Sequence, residues 1–334
     1  MPRPGPRNLI TDVPGLTVGC AQDEVARTGV TVVLCPPGWN AAVDVRGGGP
    51  GVRETETLAP ENSYSIAHAI CLSGGSVFGL GAADGVASAL SVREVGLRLA
   101  TGSPAIPIVP GAVLHDLGNG GDKTWGLDPP YRGLGMAAVA AAGESFALGA
   151  VGAGRGAKAG LVKGGLGSAS IDLGGGLVVG ALVAANPVGS VYMPDGETFW
   201  SWPFEIDGEF GGRMPQGPVC ASEPLPDESK LGASGRLRPG ANTTLAVVAV
   251  TGDLTTAEAK RVAMMAHDGM GRAVRPAHTT FDGDVVFSLA SGAVALGVGR
   301  SRAVEISRLG SAAADCLARA IARAVYEARD FMER

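Results

Sequence analysis

The chain is expected to fold as an α/β (α+β) protein, with strands packed as sheets and helices on the outside. Three observations carry that expectation. Apolar runs of strand length recur between clusters of Gly and Pro, the densest being residues 176–189 and 245–250. Helix-forming stretches with capping or amphipathic signals close the chain. Strands and helices do not alternate as clean βαβ units, which disfavours a Rossmann arrangement. At 334 residues, 46% of them hydrophobic, the chain can bury a large core, enough for one big α/β domain or two ordinary ones.

In chain order, residues 1–15 form a Pro-rich lead-in. Residues 28–37 (TGVTVVLCPP) and 41–46 (AAVDVR) are predicted strands joined by a turn at Gly38-Trp39-Asn40. Residues 46–58 form a glycine-rich, charged loop. Residues 65–90 are apolar all round and predict a buried helix pair, or one helix broken near Ser73-Gly74-Gly75. Residues 104–117 are strand-like, with prolines placing the ends at an edge or turn. An Ala-rich helix is expected over 131–144, then a glycine-laden connector and strand over 146–173. Residues 176–189 predict a buried strand ending at Asn186-Pro187. The stretch 192–240 is rich in Pro, Gly and acids and lacks periodicity, which suits an exposed, cleavable loop. The uniformly apolar run 245–250 predicts a strand buried on both faces. Thr255 and Glu258 form a capping-box signature with Leu254 as a staple, opening a helix to about Met270. Residues 279–292 predict a strand pair or bent strand, and 302–332 a long amphipathic helix.

The bulk composition excludes several classes. Net charge is −5, which argues against nucleic acid or an anionic membrane as partner. Cys20, Cys35, Cys71, Cys220 and Cys316 are odd in number and scattered, as reduced core thiols of a cytoplasmic protein would be. No signal-peptide core and no apolar run of roughly 20 residues is present, so a soluble, cytoplasmic protein is expected. His68, His115, His267 and His278 lack metal-ligand spacing, and no metal is expected. Residues 152–157 (GAGRGA) resemble a dinucleotide loop but continue into more glycine, without an acid at the right distance. Neither GxxxxGK[ST] nor GxSxG occurs, and no cofactor is expected.

The strongest chemical candidate is Asn242-Thr243-Thr244, between a loop and an apolar strand. A cut before Thr243 would place a free α-amine beside that residue's own hydroxyl, a nucleophile with a built-in base. The plainer reading of those three residues alone is a turn Asn before two β-branched strand residues. Asp282 and Asp284, two apart, would project to one side of a strand, with Gly283 permitting close approach of backbone or ligand. Solvated acids in a DG turn are the plain alternative. Lys158 and Lys163 offer a cation to an oxyanion, or are solvated loop lysines. Asn186 offers an amide NH₂, or simply starts an Asn-Pro turn.

Taken together, these blocks resemble the DmpA-type aminopeptidase and nylon-oligomer endo-hydrolase family of N-terminal-nucleophile hydrolases. The resemblance spans nearly the whole chain and rests on blocks in family order: 43–55 (VDVRGGGPGVRET), 68–86, 106–117, 163–170, 185–189, 242–244 and 278–284 (HTTFDGD). It implies a four-layer αββα sandwich forming one catalytic domain over 1–334. It further implies self-cleavage between Asn242 and Thr243, giving fragments 1–242 and 243–334. By resemblance Thr243 is the nucleophile, Asp282 and Asp284 complete the site, and Asn186 serves the oxyanion. The family lysine matches Lys163 by the KGG block, with Lys158 a second candidate. The nylon hydrolases have their lysine at Leu161 and a Tyr where His115 stands. The implied activity is amide hydrolysis of linear 6-aminohexanoate oligomers. The alternatives are aminopeptidase action on small peptides or amino-acid amides, and acyl transfer of the ornithine acetyltransferase type. A tetramer of processed heterodimers is the implied assembly, with a small-molecule amide or oligoamide as substrate.

Overall fold

Two five-stranded sheets stacked face to face organise the protein. The structure is a computed structural model and describes residues 3–217, 223–234 and 242–329. The first third of the chain contributes β1 (Thr17–Asp23), β2 (Thr28–Leu34), β3 (Asn40–Val45), β4 (Gly51–Arg53) and β5 (Ala69–Ser73). Next come α1 (Ala82–Val92), β6 (Gly111–Val113), α2 (Tyr131–Ala140), and the short strands β7 (Lys158–Ala159) and β8 (Val162–Lys163). The long strands β9 (Gly165–Asp172) and β10 (Val178–Asn186) precede the short helix α3 (Lys230–Ser234). The chain closes with β11 (Thr243–Gly252), α4 (Thr256–Ala273), β12 (Val285–Val294) and α5 (Gly299–Tyr326).

One sheet has the order β1-β2-β5-β6-β4 and the other β3-β12-β11-β10-β9, with β7 and β8 forming a separate ribbon. Alternation along β11 shows why the layers stack as they do. Leu245, Val247 and Ala249 face the first sheet, where they meet Leu72, Ala112 and Leu114. Ala246, Val248 and Val250 face the opposite way, against Val262, Leu317 and Ile321 of α4 and α5. A third apolar layer joins Val30, Val32 and Cys71 to Val86 and Tyr131 of α1 and α2. The result is a four-layer αββα sandwich. The strand expected at 245–250 is buried on both faces along its whole length because it is central in the second sheet.

Two local expectations change and a third gains a meaning. Residues 69–73 form β5 rather than helix. A strand buried on both faces has no period-2 pattern, so its apolar run mimics a buried helix. The turn at Gly38-Trp39-Asn40 joins strands of different sheets, passing the chain from one layer to the next. Residues 279–284 are a loop, and a single strand starts at Val285. Elsewhere the outline holds. Thr255 N donates to Glu258 Oε2 at 2.8 Å and Glu258 N to Thr255 Oγ1 at 3.3 Å, closing the capping box of α4. Thr255→Ala is expected to lower the unfolding free energy by about 1 kcal/mol in urea titration, since it orphans that helix-end donor; an unchanged midpoint would contradict the cap's role.

The stretch 192–217 is aperiodic yet anchored. Arg319 of α5, fully buried, donates to Glu209 at 2.5 Å and to the Ser170 carbonyl at 2.8 Å. Cys20, Cys35, Cys71 and Cys316 are free thiols, the last three buried and pushed up to about 12 by burial. Residues 218–222, with Cys220, and 235–240 of the stretch expected to be a cleavable loop lie outside the described residues, as does Ala241. Among the described residues no helix is long and apolar enough to cross a membrane.

Candidate active site

The site is assembled where three strand ends of the second sheet meet. β10 runs antiparallel to β11, and its last residue, Asn186, pairs with the first, Thr243. β12 runs parallel to β11, so the loop that feeds it, residues 278–284, arrives beside the same end. Thr243 shares the face of Leu245 and therefore points between the sheets; it is 1% exposed.

Thr243 Oγ1 lies 2.5 Å from the Asn242 carbonyl oxygen and donates to it. The same carbonyl accepts the Gly283 N–H at 2.8 Å. A Cβ on residue 283 would stand 2.7 Å from Thr243 Oγ1 and 2.8 Å from the Gly49 carbonyl oxygen, so glycine is required by space. The glycine-rich loop 46–58 has the same origin. Gly49 N donates to the Asp282 carbonyl at 2.8 Å, and a Cβ on Gly47 would fall 2.2 Å from Asp284 N. Two backbones are thus pressed together around the aspartates.

Asp282 and Asp284 are buried and fully engaged, unlike acids in a solvated turn. Asp282 Oδ1 accepts Val188 N at 3.0 Å, and Oδ2 accepts Thr279 N at 2.8 Å and Thr279 Oγ1 at 2.7 Å. Burial, reinforced by the charge of Asp284, raises the Asp282 carboxyl above its ordinary range. Asp284 Oδ1 accepts Thr244 N at 2.8 Å; Oδ2 accepts His278 N at 3.2 Å and lies 2.8 Å from His278 Nδ1. The pair fixes backbone on both sides of Thr243. His278 takes a left-handed φ of 55° to reach Asp284, and its ring meets that of His267 edge-on at 4.8 Å. His267, depressed to about 4 chiefly by burial, abuts the Asp44 carbonyl at 3.1 Å.

Asn186 is held in place rather than free to turn. Its Oδ1 accepts Lys158 N at 2.9 Å, and its Nδ2 donates to the His115 carbonyl at 3.3 Å. Beside it Lys230 Nζ donates to Asn242 Oδ1 at 2.7 Å and approaches Asn186 Oδ1 at 3.4 Å. Burial lowers the Lys230 ammonium to about 7, against a weaker opposing pull from Asp282. A cavity of about 200 Å³ opens here, lined by His115, Asp116, Lys158, Asn186, Lys230 and Asn242. His115 is lowered by burial, so its neutral form is favoured.

Thr243, Asn242, Asp282, Asp284, Asn186, His115 and Lys158 are therefore brought together. Lys163 is not. Its ammonium donates to the Arg155 carbonyl at 2.8 Å, and its side chain lines a separate cavity of about 510 Å³ with Tyr192 and Arg329. The cation beside the junction is Lys230, which sequence reading passed over because it lies in an aperiodic stretch with no motif around it. His278 was discounted as a metal ligand, although it opens the same block as the aspartates. The Gly283 amide could be suspected from the glycine between two acids, but no side-chain motif reports a backbone donor.

Chemically, the cluster can support attack of a hydroxyl on a carbonyl whose oxygen already receives a fixed N–H. Among the described residues no group of three or more His, Cys, Asp or Glu side chains is placed to hold a metal ion.

Comparison with known proteins points to one family. The profile of peptidase family S58 matches residues 8–334. A Mycobacterium tuberculosis protein named an uncharacterized aminopeptidase is 45% identical over 338 residues, covering 96% of this chain and 94% of that one. The 6-aminohexanoate-oligomer endohydrolase of a Kocuria species is 32% identical over 94% of this chain and 84% of its own. In fold, the L-aminopeptidase D-Ala-esterase/amidase of Ochrobactrum anthropi, described as a variant of the Ntn hydrolase fold, superposes with a TM-score of 0.66 at 19% identity. That match covers 98% of this chain and 88% of the other.

Proposed function

The chain belongs to peptidase family S58 and is an amide or peptide hydrolase, and from that premise we propose that it is a self-processing aminopeptidase with Thr243 as its nucleophile. The observation that carries the reading is the contact of Thr243 Oγ1 with the Asn242 carbonyl, whose oxygen also receives the Gly283 N–H. In maturation, Oγ1 bonds to the Asn242 carbonyl carbon as the bond to Thr243 nitrogen breaks, and the hydroxyl proton passes to that nitrogen. Water then hydrolyses the ester, leaving a carboxylate on Asn242 and a free amine on Thr243. That amine, with an unperturbed pKa of roughly 7.7–8.0, serves afterwards as base for its own hydroxyl.

In turnover, Thr243 Oγ1 attacks the substrate amide, the amine relays the proton to the leaving nitrogen, and water releases the acyl group. The Gly283 N–H is the first candidate for oxyanion donor, with Lys230 nearby. Asp282 and Asp284 act by holding Val188, Thr279, Thr244 and His278 around the nucleophile. Asn186, whose NH₂ is turned to the His115 carbonyl, positions the Lys158 and Lys230 side of the cavity.

Identity favours aminopeptidase action first, at 45% against 32% for the nylon-oligomer hydrolase. The nylon-type reading retains one specific support, the Thr nucleophile with both aspartates buried beside it. Intact mass and N-terminal sequencing of purified protein test the core of the proposal. Two species are expected, the smaller spanning residues 243–334 and beginning Thr-Thr-Leu. Release of single amino-terminal residues separates the aminopeptidase from an enzyme that shortens 6-aminohexanoate oligomers internally. Acetyl transfer to an amine in preference to water would instead indicate the acyltransferase class.

A further inference from the structure

Resting on the reading of Thr243 as a self-released nucleophile, we propose that His278 is a positioning residue of the mature enzyme, holding through Asp284 the chain end that cleavage creates. His278 has a φ of 55°, in the left-handed region that glycine enters freely and most side chains enter at a cost. A strained position persists through the contacts around it, and here the contact is made by the ring. Its Nδ1 lies 2.8 Å from Asp284 Oδ2.

The proton of that contact belongs to the histidine. Asp284 Oδ2 also accepts the His278 backbone N–H at 3.2 Å, and Oδ1 accepts Thr244 N at 2.8 Å, so the carboxylate acts as acceptor in these contacts. A carboxylate held by one contact can still turn about its own bond. Two donors from one residue on Oδ2 set its plane and leave Oδ1 facing Thr244. His278 is in turn backed by His267 of α4, whose ring meets it edge-on at 4.8 Å and whose Nε2 lies 3.1 Å from the Asp44 carbonyl. Burial depresses His267 to about 4, so near neutral pH it brings no charge to this packing.

Cleavage makes the tie matter more. In the uncut chain Thr243 is anchored from both sides, because Asn242 is fixed by the Gly283 N–H on its carbonyl and by Lys230 Nζ on its Oδ1. After cleavage Thr243 is a chain end and loses its covalent link to those anchors. Its pairing with Asn186 remains, and so does the line from Thr244 N through Asp284 to His278. That line fixes the peptide plane between Thr243 and Thr244, and with it the direction in which the new amine and Oγ1 face a substrate carbonyl. Such placement is what rate is most sensitive to, with about 10²-fold lost for a shift of roughly 1 Å.

The test compares His278→Gly with His278→Asn. Both residues suit a left-handed backbone, so the fold is not at risk, but only Asn supplies a donor near the place of Nδ1. The other ring nitrogen, Nε2, has no hydrogen bond among the described residues, so one short donor can stand in for the ring. Turnover is followed on the p-nitroanilides of L-alanine and L-leucine and on the linear 6-aminohexanoate trimer, using whichever the wild type cuts fastest. His278→Gly is expected to lower kcat by about tenfold or more with KM within about twofold, since His278 does not line the cavity at Asn242. Its self-cleavage, timed on a denaturing gel after cell-free synthesis, should stay within about threefold of native. His278→Asn should bring kcat back to within about threefold of wild type. A native kcat in His278→Gly, slowing of self-cleavage as large as that of turnover, or no recovery in His278→Asn overturns the role of His278 and leaves Thr243 standing. A wild-type chain that stays uncut, or that hydrolyses none of the three substrates, overturns the reading on which the role rests.

Discussion

Thr243→Ala is expected to yield a single unbroken chain with no measurable amide hydrolysis. On the proposed mechanism, removing the hydroxyl removes the atom that attacks the Asn242 carbonyl, so neither the new amine nor the acyl-enzyme can form. Loss of a nucleophile in other hydrolases lowers kcat by about 10⁴-fold or more, so residual activity should fall below detection. The fold should survive, because β11 is held by backbone pairing to β10 and β12 and by Leu245 and its neighbours, none of which needs the hydroxyl. Intact mass on a denaturing gel band, together with a thermal melt close to that of the parent, is the check. A Thr243→Ala protein found as two fragments would refute the assignment of the nucleophile.

Gly283→Ala should be nearly as severe, for a reason that lies in the backbone. The added methyl would stand 2.7 Å from Thr243 Oγ1 and 2.8 Å from the Gly49 carbonyl, and backbone cannot swing aside as a side-chain tip does. The loop must shift, carrying the Gly283 N–H away from the Asn242 carbonyl. Loss of one such donor costs about 10²–10³ in rate, so self-cleavage followed over time on a gel should slow by that factor. Gly271→Ala is the matched control. It lies in α4, where a Cβ would meet nothing within 4 Å, and Ala there should stabilise by about 0.5–1 kcal/mol without altering cleavage. Cleavage at the native rate in Gly283→Ala would remove this amide from the proposed mechanism.

Much of the frame was legible in the residues. The β10, β11 and α4 segments announced themselves through an apolar run or a capping box, because those signals are local. β5 was hidden by its own burial, since a strand covered on both faces loses the alternation that identifies it. Among site residues, Thr243, Asp282, Asp284 and Asn186 stood out through motif blocks in a recognisable order. Lys163 had the same kind of support, yet its ammonium is committed to the Arg155 carbonyl. Lys230 had none, and reaches Asn242 because α3 is tied to Val188 through its backbone amide.

By itself, then, the sequence determined most of the segments that become strands or helices, which face of each is apolar, and which residues carry reactive groups. These follow from short-range sterics, periodicity and side-chain chemistry. Tertiary structure alone decided that β12 runs parallel to β11, bringing the 278–284 loop to Thr243, and that a backbone amide rather than a side chain meets the Asn242 carbonyl. It also decided which lysine faces the junction. Such contacts join residues far apart in the chain, and their partners are set by how layers stack rather than by any neighbouring residue.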